Sequence, residues 1–335
     1  MPVRMSLGLF PTEPPTRIVS LVQLAEQLGY ACVWIGDSQM IWREAYVMLG
    51  AAAQATARIM LATGVTNPVT RKPAIVAAAM ETLHELTGGR VRLGIGAGDS
   101  SVETLGDRPA RLDELESALG EIRALIAGET VQHAGSEVPL RLTYAEPGVH
   151  VPIYLAVSGP RIHRLAGKVA DGAIVLVGID RPFLEASRQE LERGATQAGR
   201  DLASANFKVV CWTPCSIGDD GHMARAAVKA HVARVLKRDL PFPMSEEDMA
   251  VVREIRAHYE YYEHMVVGTP HGDIVPDSLV EKFAVAGTPD EARAQLQRLA
   301  ATGLVDEIAI IPHALDPADR ERTIRLVGEM IPDIK

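Results

Sequence analysis

The stretch "RIMLATGVTNPVTRKPAIVAAAMETLHELTGGRVRLGIGAGD", residues 58–99, contains one whole repeat of the chain. It opens on a β-type run, 58–64, and crosses a polar turn. It then enters a run over 73–86 with apolar residues at three-to-four spacing, stops at Gly88 and begins a second β-type run at 90–96. Strand, turn, helix, glycine stop and strand form the unit that joins parallel strands, because a parallel return needs a crossover connection. The same alternation continues outward on both sides, with strands expected at 4–10, 31–36, 152–157, 172–177, 207–213 and 307–312. Helices are expected at 16–29, 42–57, 109–127, 160–170, 182–199, 219–236, 289–302 and 316–331. Eight strands, each followed by a helix, predict a closed (β/α)8 TIM barrel, whereas an open doubly wound sheet normally stops near six. Such barrels reach this length as one unit, so residues 1–335 read as a single barrel domain.

Two stretches break the repeat. Residues 128–151 have Gly and Pro punctuation with short alternating runs, which predicts a hairpin insertion. Residues 237–286 predict a helix-bearing cover over the active-site mouth, hinged at "PFP" and "GTPHGD". Hydrophobic residues make up 47% of the chain and aromatics only 4%, the mixture of parallel sheets flanked by helices. With 34 basic against 43 acidic residues and no long run of either sign, nucleic acid and anionic membranes are poor partners. No apolar stretch suggests a signal segment or a membrane span, and the expectation is a cytoplasmic protein. Cys32, Cys211 and Cys215 fit neither a disulfide framework nor a zinc pattern; Cys211 reads as buried and Cys215 as a loop residue.

Barrel chemistry resides where strands end. Those positions hold Asp37 and Ser38 after the second strand, and Gly64, Val65, Thr66 and Asn67 after the third. Gly96, Ala97, Gly98 and Asp99 follow the fourth, Ser158, Gly159 and Pro160 the fifth, and His313 the eighth. They offer no Cys–His or Ser–His–Asp set, no metal spacing and no strand-end lysine. They are rich in glycine, which lets a large flat or phosphorylated ligand approach main-chain N–H groups, so a cofactor site is implied. "GIGAGD" is not a dinucleotide fingerprint, since Asp99 stands where the third glycine belongs. Tight packing of a glycine-rich strand end is the structural alternative for that turn, and helix capping is the alternative for Asp99.

The order "WIGDS", "ATGVTNPVTRKPA", "LTGGRVRLGIGAGD", "PIYLAVSGP", "AVAGTP" resembles the bacterial luciferase-like superfamily, especially the branch of methylenetetrahydromethanopterin reductase and its deazaflavin-using relatives. The resemblance implies a barrel that binds the deazaflavin coenzyme F-420, or alternatively FMN, at its C-terminal mouth. It also implies a small-molecule substrate and a homodimer or higher homo-oligomer. By the same resemblance the Gly64–Val65 bond is cis and backs the central ring. Asp37 anchors the cofactor, Gly96 to Asp99 runs along its edge, and Ser158 and Gly159 offer N–H groups to a phosphate or ring oxygen.

Trp42 matches an active-site aromatic of sugar-phosphate-oxidising relatives, although helix packing would also account for it. Where many relatives have a histidine acid/base group, this chain has Ser38, whose hydroxyl cannot serve near neutral pH. Reduction of a C=N, C=C or carbonyl bond, or oxygenation, is therefore favoured over alcohol oxidation. Asp99 is left as the carboxylate placed to handle a proton. Tyr262, His264 and His313 are candidate substrate contacts. An FMN-dependent monooxygenase and a cofactor-binding barrel without turnover stand as the other readings.

Overall fold

In a computed structural model that describes residues 2–133, 137–259, 263, 266–314 and 316–334, nine parallel strands are present. They are β1 (Arg4–Leu9), β2 (Cys32–Ile35), β3 (Met60–Thr63), β4 (Val91–Ile95), β5 (Ile153–Val157), β6 (Gly172–Val175), β7 (Lys208–Ile217), β8 (Val285–Gly287) and β9 (Glu307–Pro312). Strands β1 to β6 pair in sequence, β6 pairs with β7, β7 with β9, and β9 with β1, so eight strands close into a ring. The expected (β/α)8 barrel is therefore the fold. The wall strands are buried on both faces, as their near-continuous apolar character demands. Outside the ring, Val, Leu, Ile and Ala side chains pack against the helices. Inside it, all three tryptophans, Trp34, Trp42 and Trp212, join Phe10, Tyr154, Ile174 and Ile311.

A charged cluster lies toward the N-terminal ends of the strands. Glu307, fully buried, accepts hydrogen bonds from Ser6 Oγ (2.6 Å), Arg92 Nη1 (2.8 Å) and Trp34 Nε1 (3.2 Å). The Arg92 guanidinium also lies 5.4 Å from the Tyr154 ring centre and 5.9 Å from that of Trp34.

The structure departs from the sequence reading at three places. Strand β7 runs through Pro214 to Ile217, because new partners, β9 and then β8, take up its far half; Cys215 is accordingly a buried strand residue and not a loop residue. The expected hairpin at 128–151 reduces, among its described residues, to one antiparallel bridge between Val131 and Leu140. The segment 237–286, expected as a cover, holds helices Glu246–His258, Pro270–Asp273 and Asp277–Phe283 among its described residues and ends in β8, a ninth strand that three residues of sequence do not announce.

Candidate functional site

At the C-terminal ends of the strands a cavity of about 990 Å³ opens. Its apolar floor comes from Ile174, Leu176, Trp212 and Ala156. Phe10 and Trp42 stack beside it, ring centres 4.3 Å apart and 13° from parallel, so Trp42 is both a packed aromatic and part of the cavity wall.

The β3 turn makes one wall. Gly64–Val65 is a cis peptide, as the resemblance implies, and both residues line the cavity with Thr66 and Asn67. Only glycine fits at 64: a Cβ there would lie 2.8 Å from Trp34 Cβ and 3.0 Å from Trp212. Thr66 is sewn to the neighbouring strand by N–H to the Gly94 carbonyl (3.0 Å), and its own carbonyl accepts from Gly96 N–H (2.9 Å). Its hydroxyl donates to Asp37 (2.8 Å). Asp37 lines the cavity, yet the residue is only 4% exposed, and its carboxylate also receives two hydrogen bonds from Arg71 (2.9 and 3.1 Å). Asp37 thus ties the β2 and β3 turns together. The Asn67 carboxamide accepts from Val69 and Thr70 N–H and donates to Ser101 Oγ (3.0 Å). Ser38 does not line the cavity; its hydroxyl meets that of Ser100 at 3.1 Å behind the wall.

Gly96, Ala97, Gly98 and Asp99 line the next wall. Gly98 has φ +107°, and a Cβ there would lie 2.4 Å from Val102 Cγ2. Asp99 is engaged by three cations: Arg238 hydrogen-bonds it, Arg234 lies 3.5 Å away and Lys237 3.7 Å. An acid/base role would have to compete with that cluster. Glu103, on the same wall, has one carboxylate oxygen buried with no hydrogen-bond partner among the described residues.

Ser158, Gly159 and Pro160 line the third wall at the start of helix Pro160–Val169, whose unpaired N–H groups suit an anion. Beneath it, His163 donates from Nδ1 to the Gly159 carbonyl (2.7 Å) and Nε2 accepts from Ser187 (2.8 Å); burial pulls its pKa down to about 4. His313 does not line the cavity. It is 8% exposed behind the wall, 2.7 Å from His231 Nδ1, because its backbone N–H is drawn to Cys215 at the extended end of β7. Burial first, then Arg320 and Arg234, lower its pKa to about 3. Tyr262 and His264 lie outside the described residues.

Arg71, Phe10, Trp212, Glu103 and the Arg234–Lys237–Arg238 cluster were not singled out from sequence. The last carries a legible signal, cations at i, i+3 and i+4 at a helix end, but their target, Asp99, is remote in the chain. Among the described residues no group of three or more His, Cys, Asp or Glu is arranged to hold a metal, and no helix is long and apolar enough to cross a membrane.

A family model described as luciferase-like monooxygenase matches residues 2–306. A 5,10-methylenetetrahydromethanopterin reductase of Methanolobus tindarius is 31% identical over 98% of this chain and 99% of its own length. An F-420-dependent glucose-6-phosphate dehydrogenase of Beutenbergia cavernae is 38% identical over 58% of this chain and 63% of its own. The solved structure of the coenzyme F-420-dependent tetrahydromethanopterin reductase from Methanopyrus kandleri superposes over 100% of both chains with a TM-score of 0.80 at 26% identity.

Proposed function

Because the chain belongs to the luciferase-like monooxygenase family, we propose that it is an oxidoreductase that binds coenzyme F-420 in the barrel mouth and exchanges a hydride with a small organic substrate there. The observation that carries this reading is the cavity itself. An apolar floor, the Val65 turn, bare main chain at Gly96 and Gly98 and a helix N-terminus at Gly159 stand around one space. These features suit a planar ring with a phosphorylated side chain. F-420, when bound, supplies a two-electron hydride carrier with little reactivity toward oxygen.

The chain's own residues position and shield. Val65 and the β3 turn would hold the ring from behind, with Asp37 and Arg71 fixing that turn. The Gly159 end of helix Pro160–Val169 would take the phosphate, and the Phe10–Trp42 stack would help keep water from the bound ring. Asp99 would handle a proton only in competition with its cations, and Glu103 is the second carboxylate on that wall. Ser38 behind the wall agrees with reduction of an unsaturated bond rather than oxidation of an alcohol. Assembly as a homodimer or higher homo-oligomer is the reading the family resemblance implies, and light scattering of the purified protein tests it.

Parallel titrations of the purified protein with F-420 and FMN test the cofactor. F-420 should bind at least about tenfold tighter, a difference of about 1.4 kcal/mol, and its reduced form should persist in air. Preferential FMN binding with rapid aerobic reoxidation would replace this reading with a flavin monooxygenase.

A further inference from the structure

Trp34 points into the barrel, and Gly36, two residues further along, keeps the same face, because its N–H continues the β1–β2 ladder to the Leu9 carbonyl at 2.9 Å. Its φ is not positive, so the backbone conformation does not call for glycine. Space does. A Cβ at residue 36 would lie 2.6 Å from Phe10 Cδ1 and 2.9 Å from Trp42 Cζ3, against both rings of the stack that lines the cavity.

The main chain on both sides of the stack is pinned. The Phe10 carbonyl accepts from Arg320 Nη2 (3.2 Å) and from Thr12 N–H (2.8 Å), and Trp42 N–H donates to the Ser38 carbonyl (2.8 Å). Arg43 N–H joins the two turns through the Pro11 carbonyl (3.2 Å). A ring displaced from Gly36 therefore turns about its own side-chain bonds, and the open space beside it is the cavity. The Trp212 ring stands 6.4 Å from that of Phe10 and 52° from parallel, so the three rings make an apolar corner of the cavity. Tilted aromatic faces at this separation suit a flat, uncharged group.

We propose that Gly36 is a specificity-determining residue: by letting the Phe10–Trp42 stack lie back against β2, it keeps open beside Trp212 a slot for a flat, uncharged part of the substrate, a ring or unsaturated segment next to the bond that reacts. The proposal deepens the oxidoreductase reading above and rests on it for what fills the rest of the cavity.

The probe is 1-indanone, a flat uncharged ketone. F-420 is titrated into wild type, Gly36→Ala, Phe10→Leu and the double variant, and 1-indanone binding to each F-420-saturated protein is then measured by equilibrium dialysis. Gly36→Ala should weaken 1-indanone about fivefold or more while F-420 binds within about twofold of wild type. In the Phe10→Leu background, where the added methyl has room, the same substitution should change 1-indanone binding by less than about twofold. Phe10→Leu alone adds no bulk and should weaken 1-indanone about threefold by removing one ring face, which tests the slot even where Gly36→Ala does not fold. The slot is overturned if wild type does not bind 1-indanone or if Phe10→Leu binds it unchanged. The role of Gly36 is overturned if Gly36→Ala binds 1-indanone as wild type does, loses F-420 equally, or is not relieved by Phe10→Leu. Should wild type bind FMN and not F-420, the cofactor reading falls alone, and the same dialysis on the FMN-saturated proteins decides the slot.

Discussion

The barrel carries two charged clusters at opposite ends, and they are satisfied in opposite ways. At the N-terminal end Glu307 meets Arg92, Ser6 and Trp34 at 2.6–3.2 Å and the half-exposed Arg4 at 3.5 Å, and Arg92 also lies against two aromatic rings, so the carboxylate is fully engaged in the interior. At the mouth three cations share Asp99 along the wall of an open cavity. A fully buried network specifies and rigidifies a core, whereas one along the wall of an open cavity lies within reach of whatever binds there. The contrast follows the general division of such barrels, with stability at the bottom and chemistry at the top.

The largest effect expected is at the bottom. Glu307→Gln leaves Arg92 buried without its counter-charge and should cost about 3–5 kcal/mol in urea unfolding, with cofactor affinity of the folded fraction unchanged. A loss below about 1 kcal/mol would put this pair on the level of a surface ion pair and erase the contrast.

A smaller effect comes from the neutral histidines that brace the mouth. The folded pKa of His163 is about 4 and that of His313 about 3, both below the ordinary histidine value. Between about pH 4 and 6.5 the unfolded chain therefore binds more protons than the folded one, and stability should fall as pH is lowered through this window. Each histidine should contribute a slope approaching roughly 1.4 kcal/mol per pH unit. Chemical denaturation at a series of pH values should show His313→Asn removing about one proton from that slope; an unchanged slope would mean that the histidine pair is charged in the fold.

The smallest stability effect is expected at Lys237 and Arg238. Replacing either with glutamine forfeits a contact to Asp99 but relieves repulsion among like charges, so unfolding free energy should change by less than about 1 kcal/mol. A large destabilisation would make the mouth cluster a structural network like the one at the bottom.

The repeat exposed in residues 58–99 made the barrel legible, because strand, turn and capped helix are local patterns. The turn glycines were legible for the same reason: Gly64 and Gly98 answer to close approach of backbone to Trp34 and Val102. Pairing across long stretches was not. Strand β8 exists only because β7 extends past Pro214 to meet it, and that extension also draws His313 behind the wall. Asp99 looked like a spare carboxylate because its three partners approach from a helix more than a hundred residues later in the chain. Asp37 hid Arg71 likewise, since a bidentate pair between two turns leaves no spacing to read.

Strand β8 has one further consequence, in chain entropy. Ile217 and Gly287 are register partners, and Gly218 N–H bonds the Gly287 carbonyl at 3.1 Å, so the chain from Gly218 to Gly287 begins and ends at one point of the barrel wall. A loop whose ends already touch is nearly indifferent to its contour length; doubling it costs only about 0.6 kcal/mol of closure entropy. Helix Gly221–Leu236, with the cations at its end, lies inside that loop, whereas the floor and the β3 and β4 turns lie outside it. The cavity is thus assembled from two stretches of chain, and the closure of the second onto the first at Ile217 and Gly287 limits what the length of that second stretch costs.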